Sequence, residues 1–527
     1  MPNADLLTTW LVRHPWTWIL VFALVAAMLP AVPIDETRYL TIAWELHRSG
    51  DLIGLTLNGQ PYLDKPPLLF WLVDAMWFLL GQSLWAARMV AVAFAAGTIA
   101  IVASIERVLG GDDGTRSPVA AWILLPFILF DTFSGSVMFD VPLCFFVTCS
   151  LLAVALWVRE RRVLAAVLLF ASAALGMLMK GPVVFVHLVG PLLLIAWWNY
   201  RRLPHPWRSV AMMVGVLLLA CLPLAWWAAD AAARMAQAPV LDTLMHQAFG
   251  RVSESFAHRR APWWYLIWLP LFLLPWSAWI RWRPFARGAR RVTATTMGRF
   301  GLAASLPALV LFSLISGKQL HYLLPLLPGL ALCLAAIVRL EPATIDHRRP
   351  RIAIPIVALA CAWPVARMVS GLGDTVQLPA ALVAFALLGV AIVVTGRVFR
   401  ERDRLAVTAI ASACIVAALV LQLGVFLHLS PNADDLASTV HELQRRGVPV
   451  IALEGEPGMI GFLTRLPSPL PVVAPANAAA WATAHPDGFA LIHGGKNIVP
   501  AGTRVAVKLA DGWEGLVPAS TVGRGAY

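Results

Sequence analysis

The residues best suited to chemistry in this chain stand at the ends of apolar runs. Asp35, Glu36, Arg38 and Tyr39 follow directly on the run 15–33, and Asp64-Lys65 stand just before the apolar stretch 67–81. Asp140, Lys180, Lys318 and Tyr322 lie at the ends of later runs, and Arg251, Arg259 and Arg260 occupy the polar stretch before the run 263–280. A carboxylate at such a boundary can act as a general base or orient a hydroxyl group. A lysine there offers a compact point charge for a phosphate. Singly, each also reads as part of a solvated, salt-bridged loop, so their meaning depends on whether the fold brings them to one place.

The elements that must position them are membrane spans. Of 527 residues, 59% are hydrophobic and only 13% charged, about half the roughly 25% charge usual for soluble domains. Mean hydropathy is +0.74. This excludes a soluble enzyme, a disordered chain and a secreted disulfide scaffold. The six cysteines (Cys144, Cys149, Cys221, Cys333, Cys361, Cys414) all lie inside apolar runs without metal spacing and read as packing residues. No internal repeat at a period of about 20–50 residues is visible.

Fourteen apolar runs occur: 15–33, 67–81, 84–109, 118–134, 140–158, 163–179, 182–199, 209–229, 263–280, 300–316, 321–339, 352–370, 377–396 and 405–428. Arg13 precedes the first, and no small-x-small cleavage site follows it, so the run reads as a retained signal anchor. The second is short, begins at Pro66-Pro67 and contains Asp74, which suits an interfacial or re-entrant helix better than a span.

Charge decides the topology. The net charge is +12, with 41 Lys+Arg. If 67–81 does not span and the N-terminus is cytoplasmic, the cytoplasmic segments collect twenty-three of these basic residues, among them Arg159, Arg161, Arg162 and the stretch Arg281 to Arg299. The positive-inside rule therefore predicts thirteen spans, with the N-terminus cytoplasmic and the C-terminus outside. It also accounts for the basic balance without nucleic acid. Seven more basic residues lie in the C-terminal stretch, and eleven oppose the rule: Arg38, Arg48, Lys65, Arg88, Lys180, Arg234, Arg251, Arg259, Arg260, Lys318 and Arg367. Charge held near a bilayer is costly and marks a candidate functional site.

From about residue 431 the composition changes. Asp434–Arg446 and Pro457–Leu466 read as helices, and Val448–Leu453, Phe489–His493 and Thr503–Leu509 as strands. This predicts a small α/β domain over 431–527 after a membrane domain over 1–430, whose first outer loop with interfacial helices covers 34–83. His493–Lys496 (HGGK) lacks the flanking glycines and Ser/Thr of a phosphate loop.

The ordered motifs carry a family resemblance. Asp35–Tyr39 (DETRY) followed by Asp64-Lys65-Pro66-Pro67 resembles the first periplasmic loop of the bacterial lipid A aminoarabinose transferases, relatives of the protein O-mannosyltransferases in the GT-C superfamily. Phe139-Asp140-Val141-Pro142, Met179-Lys180-Gly181, Arg251 with Ala261-Pro262-Trp263-Trp264-Tyr265, and Gly317-Lys318 with Tyr322 are similar to further motifs of that family, in order. The chain departs from the pattern near the expected acceptor loop. Arg259-Arg260 stand where a histidine is expected, and Gln247-Ala248 where a Glu-His pair is. Asp64 replaces a frequent glutamate.

The resemblance implies a polytopic α-helical membrane protein of GT-C type, with about thirteen transmembrane helices and a small C-terminal α/β periplasmic domain. It implies an inverting glycosyltransferase of the bacterial inner membrane that acts as a monomer and moves aminoarabinose or a related sugar from undecaprenyl phosphate to a periplasmic-side lipid or glycolipid acceptor, first of all lipid A or lipopolysaccharide. Catalysis is then expected from Asp35, with Asp140 catalytic or supporting. The phosphate falls to Lys65, Lys180, Arg251, Lys318 and Tyr322, and acceptor or supporting roles to Glu36, Arg38, Tyr39, Asp64, Arg259 and Arg260. These cations make a metal or other cofactor unnecessary. A protein or another glycolipid as acceptor stays open. A transporter would instead place polar groups at mid-membrane on broken helices, often in repeated halves.

Overall fold

The computed structural model of the chain describes residues 10, 14–32, 34–110, 118–199, 203, 205–234, 260–369, 378–396, 403–427, 433–453, 458–494, 499–500, 502–508 and 512–522. Among these, eight helices are long and apolar enough to cross a membrane, running from Leu84–Gly110 to Arg404–Gln422. Pro15–Met28, Leu68–Leu80 and Val183–Leu193 are shorter apolar helices. The chain is a multi-pass helical membrane protein.

Several expected spans are broken rather than continuous, among them 209–229, which forms Pro206–Leu219 and Leu222–Arg234. The run 118–134 forms Val119–Leu124 and Ile128–Phe133, the run 182–199 forms Val183–Leu193 and Ile195–Trp198, and the run 263–280 forms Trp264–Phe272 and Trp276–Trp279. Pro126, Pro191, Pro270 and Pro275 lie at or near the breaks, and each proline removes a donor from the helix ladder. The freed polar groups must be satisfied inside the protein. Two breaks do this for each other: the Ile128 amide donates to the Leu274 carbonyl at 3.0 Å, and Trp276 Nε1 to the Ile123 carbonyl at 2.6 Å. The run 352–370 lies within one helix, Arg349–Val369. All six cysteines are unpaired thiols, as packing residues should be.

The first loop contains two helices joined by a short hairpin. Asp35–Ser49 has Asp35 and Glu36 in its first turn and His47 and Arg48 in its last, each sign matched to the helix dipole. Gly50 ends it in the left-handed region, φ 68°, and returns its amide to Leu46. The hairpin pairs β1 (Thr56–Leu57) with β2 (Gln60–Pro61). Its turn closes on Glu45, whose carboxylate accepts from Thr56 Oγ1 and the Asn58 and Gly59 amides. Pro66-Pro67 then start the helix Leu68–Leu80. Phe78 and Leu79 at its end are exposed.

The C-terminal stretch folds around a five-stranded mixed sheet of order β4-β3-β5-β7-β6. The strands are β3 (Val450–Leu453), β4 (Val472–Val473), β5 (Phe489–Gly494), β6 (Val505–Lys508) and β7 (Trp513–Pro518). β3 runs parallel to β4 and β5, and β7 antiparallel to β5 and β6. The helix Ala433–Arg445 packs in the core of one face and Ala478–Ala484 in that of the other. The expected helix Pro457–Leu466 is not formed. Residues 458–465 are bends and turns, with Gly458 at φ 87° and Arg465 at φ 54°.

Candidate functional site

Alternating helix directions bring the motif residues to one end of the bundle. Asp140 opens the helix Asp140–Val158, and Lys180 closes its neighbour Arg162–Lys180. Both charges are favourable for their helix dipoles. The two helices run antiparallel, so these ends meet: Lys180 Nζ lies 2.6 Å from Asp140 Oδ1, with both side chains largely buried. Gly181 permits the exit from the Lys180 helix at φ 71°. The Lys180 ammonium also stands 4.7 Å from the centroid of the Tyr322 ring.

His321 completes this group. Its Nε2 is 3.8 Å from Asp140 Oδ2, and the charges of Asp140, Lys180, Asp35 and Lys65 all act on its ring. Tyr39 sits one turn after Asp35 and packs edge-on against Phe139 at 4.8 Å. Burial, and then the charge of Asp35, push its phenol well above the ordinary value. Asp35 and Lys65 are half-buried and Asp64 is exposed. Two carboxylates, two lysines, a histidine and two tyrosines thus share one electrostatic neighbourhood.

Glu36 stands apart from this chemistry. It is fully buried and receives Arg88 Nε at 2.8 Å and Nη2 at 2.7 Å, together with the amides of Val32 and Val137 at 2.9 Å. Arg88 gives its remaining donors to the carbonyls of Ala26, Leu29 and Pro30. All five guanidinium N–H groups are used. The pair pins the first turn of the Asp35 helix to the end of the first apolar helix and to the segment before Asp140. Each Glu36 oxygen thus already accepts two hydrogen bonds, which leaves no free lone pair for an acceptor.

Lys318 is also turned to the backbone. It is buried, and its ammonium donates to the carbonyls of Arg260 (3.1 Å) and Ile315. Desolvation lowers its pKa. Here it ties the loop 315–319 to residue 260. The Arg260 amide answers by donating to the Ser316 carbonyl, and the Arg260 side chain is exposed. Arg38 is half-buried against the C-terminal stretch. Arg251 and Arg259 lie outside the described residues.

The sequence motifs give Arg88 and His321 no individual role. Arg88 was visible as a basic residue opposing the charge rule, and His321 lies inside the Gly317–Tyr322 motif. Among the described residues no group of three or more His, Cys, Asp or Glu side chains gathers as metal ligands.

Comparison with known proteins follows the same lines. Residues 64–227 match the family described as dolichyl-phosphate-mannose-protein mannosyltransferase. An undecaprenyl phosphate-alpha-4-amino-4-deoxy-L-arabinose arabinosyl transferase of Pseudomonas paraeruginosa is 30% identical over 351 residues, which cover 63% of this chain and 61% of that protein. One from Serratia proteamaculans is 26% identical, over 61% of this chain and 59% of its own length. The chain thus spans about three fifths of the length of these relatives. The crystal structure of ArnT from Cupriavidus metallidurans bound to undecaprenyl phosphate matches with a TM-score of 0.70 at 19% identity, covering 97% of this chain and 98% of that one. In sequence over about three fifths of its length, and in fold over nearly its whole length, the chain is similar to the aminoarabinose transferases that its ordered motifs resemble.

Proposed function

We propose that the chain is an inverting glycosyltransferase that moves aminoarabinose or a related sugar from undecaprenyl phosphate to lipid A or lipopolysaccharide on the periplasmic side of the inner membrane. The observation that carries this reading is the convergence of Asp35, Lys65, Asp140, Lys180, His321 and Tyr322 at one end of the bundle. The same end receives the first loop, where a lipid headgroup at the membrane surface meets both the apolar helices and the charges.

In the reaction the bond from the anomeric carbon to the phosphate oxygen breaks as an acceptor oxygen attacks from the opposite face. Negative charge accumulates on the lipid phosphate, and preformed cations stabilise it. Lys65 is the principal candidate, with Arg251 and Lys180. Lys180 is already balanced by Asp140 and bounds the site together with Tyr322. Lys318 contributes by holding the loop that leads into the Tyr322 segment. A hydroxyl acceptor gives its proton to Asp35 as general base. A phosphate acceptor is already ionised, and Asp35 then orients the donor or stabilises positive charge on the sugar. No metal or cofactor is required, because the side-chain cations supply the charge.

Thirteen spans, a cytoplasmic N-terminus, a periplasmic C-terminal domain and a monomeric state belong to the same proposal. The match to the mannosyltransferase family over 64–227 favours a protein acceptor as the second reading. Mass analysis of lipid A and of periplasmic proteins from a deletion strain separates the two. Loss of a sugar from lipid A supports the first reading, and loss from protein alone overturns it in favour of the second.

A further inference from the structure

The helix that carries Asp35 is gripped from the far end of the sequence. Thr41 Oγ1 donates to the Gly458 carbonyl at 2.9 Å and accepts from the Phe462 amide at 3.3 Å. Trp44 Nε1 and Arg48 both donate to the Leu466 carbonyl, at 3.1 and 3.0 Å. The Phe462 ring stacks on Trp77 of the second loop helix, with centroids 4.9 Å apart and planes 7° from parallel. The Arg465 guanidinium covers Phe462 at 3.8 Å and donates to the Gln82 carbonyl at 2.5 Å.

Two glycines make the approach possible. A Cβ on Gly461 would stand 2.5 Å from Thr41 Cγ2, and one on Gly458 2.7 Å from Leu57 Cδ1 and 3.1 Å from the Arg38 Cα. The turn is therefore seated backbone-first on the helix, at Arg38, Thr41, Trp44 and Arg48, which follow Asp35 along successive turns. Phe462 belongs to the core of the membrane domain, while Met459, Ile460 and Leu466 belong to the core of the C-terminal sheet. A rigid turn thus joins the two cores across the Asp35 helix. The Glu36–Arg88 pair fixes the start of that helix from the other side.

We infer that the turn 458–467 is a latch by which the C-terminal unit sets Asp35 against the Lys180–Asp140 cluster, with Thr41 and Gly461 as positioning residues. The inference rests on the glycosyl-transfer reading above. A methyl group on Gly461 must move the helix or the turn by roughly an ångström, and a misplacement of about 1 Å can cost on the order of 10²-fold in rate.

The test compares the purified full-length wild type, Gly461→Ala and Gly461→Ala/Thr41→Ser in sugar transfer, with thermal stability measured in parallel. Serine removes the clashing Cγ2 and keeps the hydroxyl. The expected result is that Gly461→Ala lowers kcat about 10²-fold with a smaller change in donor KM, and that the second substitution restores most of it. Wild-type kcat in Gly461→Ala, or a loss that Thr41→Ser leaves untouched, overturns the latch. Should Gly461→Ala not fold, Trp44→Phe deletes one bond and keeps an aromatic ring. A lowered kcat at unchanged donor KM supports the latch, and an unchanged kcat overturns it. Absence of transfer by the wild type itself contradicts the parent reading, which keeps the two failures apart.

Discussion

Lys180 and Asp140 join the end of one transmembrane helix to the beginning of the helix before it through a 2.6 Å contact between Nζ and Oδ1. The side chains are only 13% and 3% exposed, so neither charge is well served by water if the other is lost. Removing one partner of a buried pair typically costs about 3–5 kcal/mol. Asp140→Asn should therefore lower the thermal midpoint clearly and reduce turnover. Asp140→Asn combined with Lys180→Met should recover stability without recovering turnover. If the double variant regained both, the pair would be a structural strut alone.

Asp35 tests the catalytic assignment. Its asparagine variant keeps the size and loses the charge. Turnover should fall by at least about 10²-fold, the lower range for a lost general base, while insertion and thermal stability stay near wild type. Normal turnover in purified Asp35→Asn removes this residue from the chemistry.

Lys65→Ala should act on the donor. A cation that meets the phosphate throughout the reaction contributes to both binding and turnover, so donor KM should rise and kcat/KM should fall. The expected change is about ten- to a hundredfold, the worth of roughly 1.4–2.8 kcal/mol. Unchanged kinetics would place the phosphate elsewhere.

Glu36 and Arg88 predict a different phenotype from the same loop. Glu36→Gln leaves a fully buried guanidinium without its counter-charge, so the loss should appear first in folding, again by about 3–5 kcal/mol. Detergent-solubilised yield and thermal midpoint should fall together. A well-folded Glu36→Gln with selectively impaired acceptor use would return this residue to substrate contact.

His347 gives a pH prediction remote from the site. Burial lowers its pKa, helped by Arg404, and its Nδ1 pairs with Thr408 Oγ1 at 2.7 Å. The unfolded chain binds a proton near pH 6.5, while the folded chain resists it to lower pH. Stability should therefore decline as pH falls from about 7 to the lowered folded value, with a slope of at most about 1.4 kcal/mol per pH unit from this group. His347→Gln should flatten that part of a thermal-midpoint profile. An equally steep profile in the variant would assign the decline to other groups.

Much of the candidate cluster was legible because the helices alternate in direction. Residues at every second span end fall on one side, so the boundary positions of Asp35, Lys65, Asp140, Lys180 and Tyr322 were enough to place them together. The partnerships were not legible. Glu36 and Arg88 are 52 residues apart, and only the packed loop shows that they satisfy each other instead of a substrate. The same holds for Lys318, whose boundary position looked like that of Lys65 until its carbonyl partners were seen.

The fold misled where local pattern and tertiary context disagree. Apolar length predicted continuous spans at 118–134 and 263–280, but their prolines break them and the two breaks satisfy each other. The segment 457–466 has helical spacing of apolar residues, yet Gly458 and Gly461 are used for close approach to Arg38 and Thr41. β7 was hidden for a third reason: Trp513 to Val517 are all buried, so the alternation that marks a half-exposed strand is missing.

The most direct measurement is to incubate the purified chain with undecaprenyl-phosphate-linked aminoarabinose and lipid A and to determine the mass and anomeric configuration of the product. The expected result is a glycosylated lipid with inverted configuration, release of undecaprenyl phosphate, and loss of both in Asp35→Asn. No transfer from any polyprenyl-phosphate sugar to any of the proposed acceptors by folded wild-type protein, or transfer with retained configuration, would contradict it.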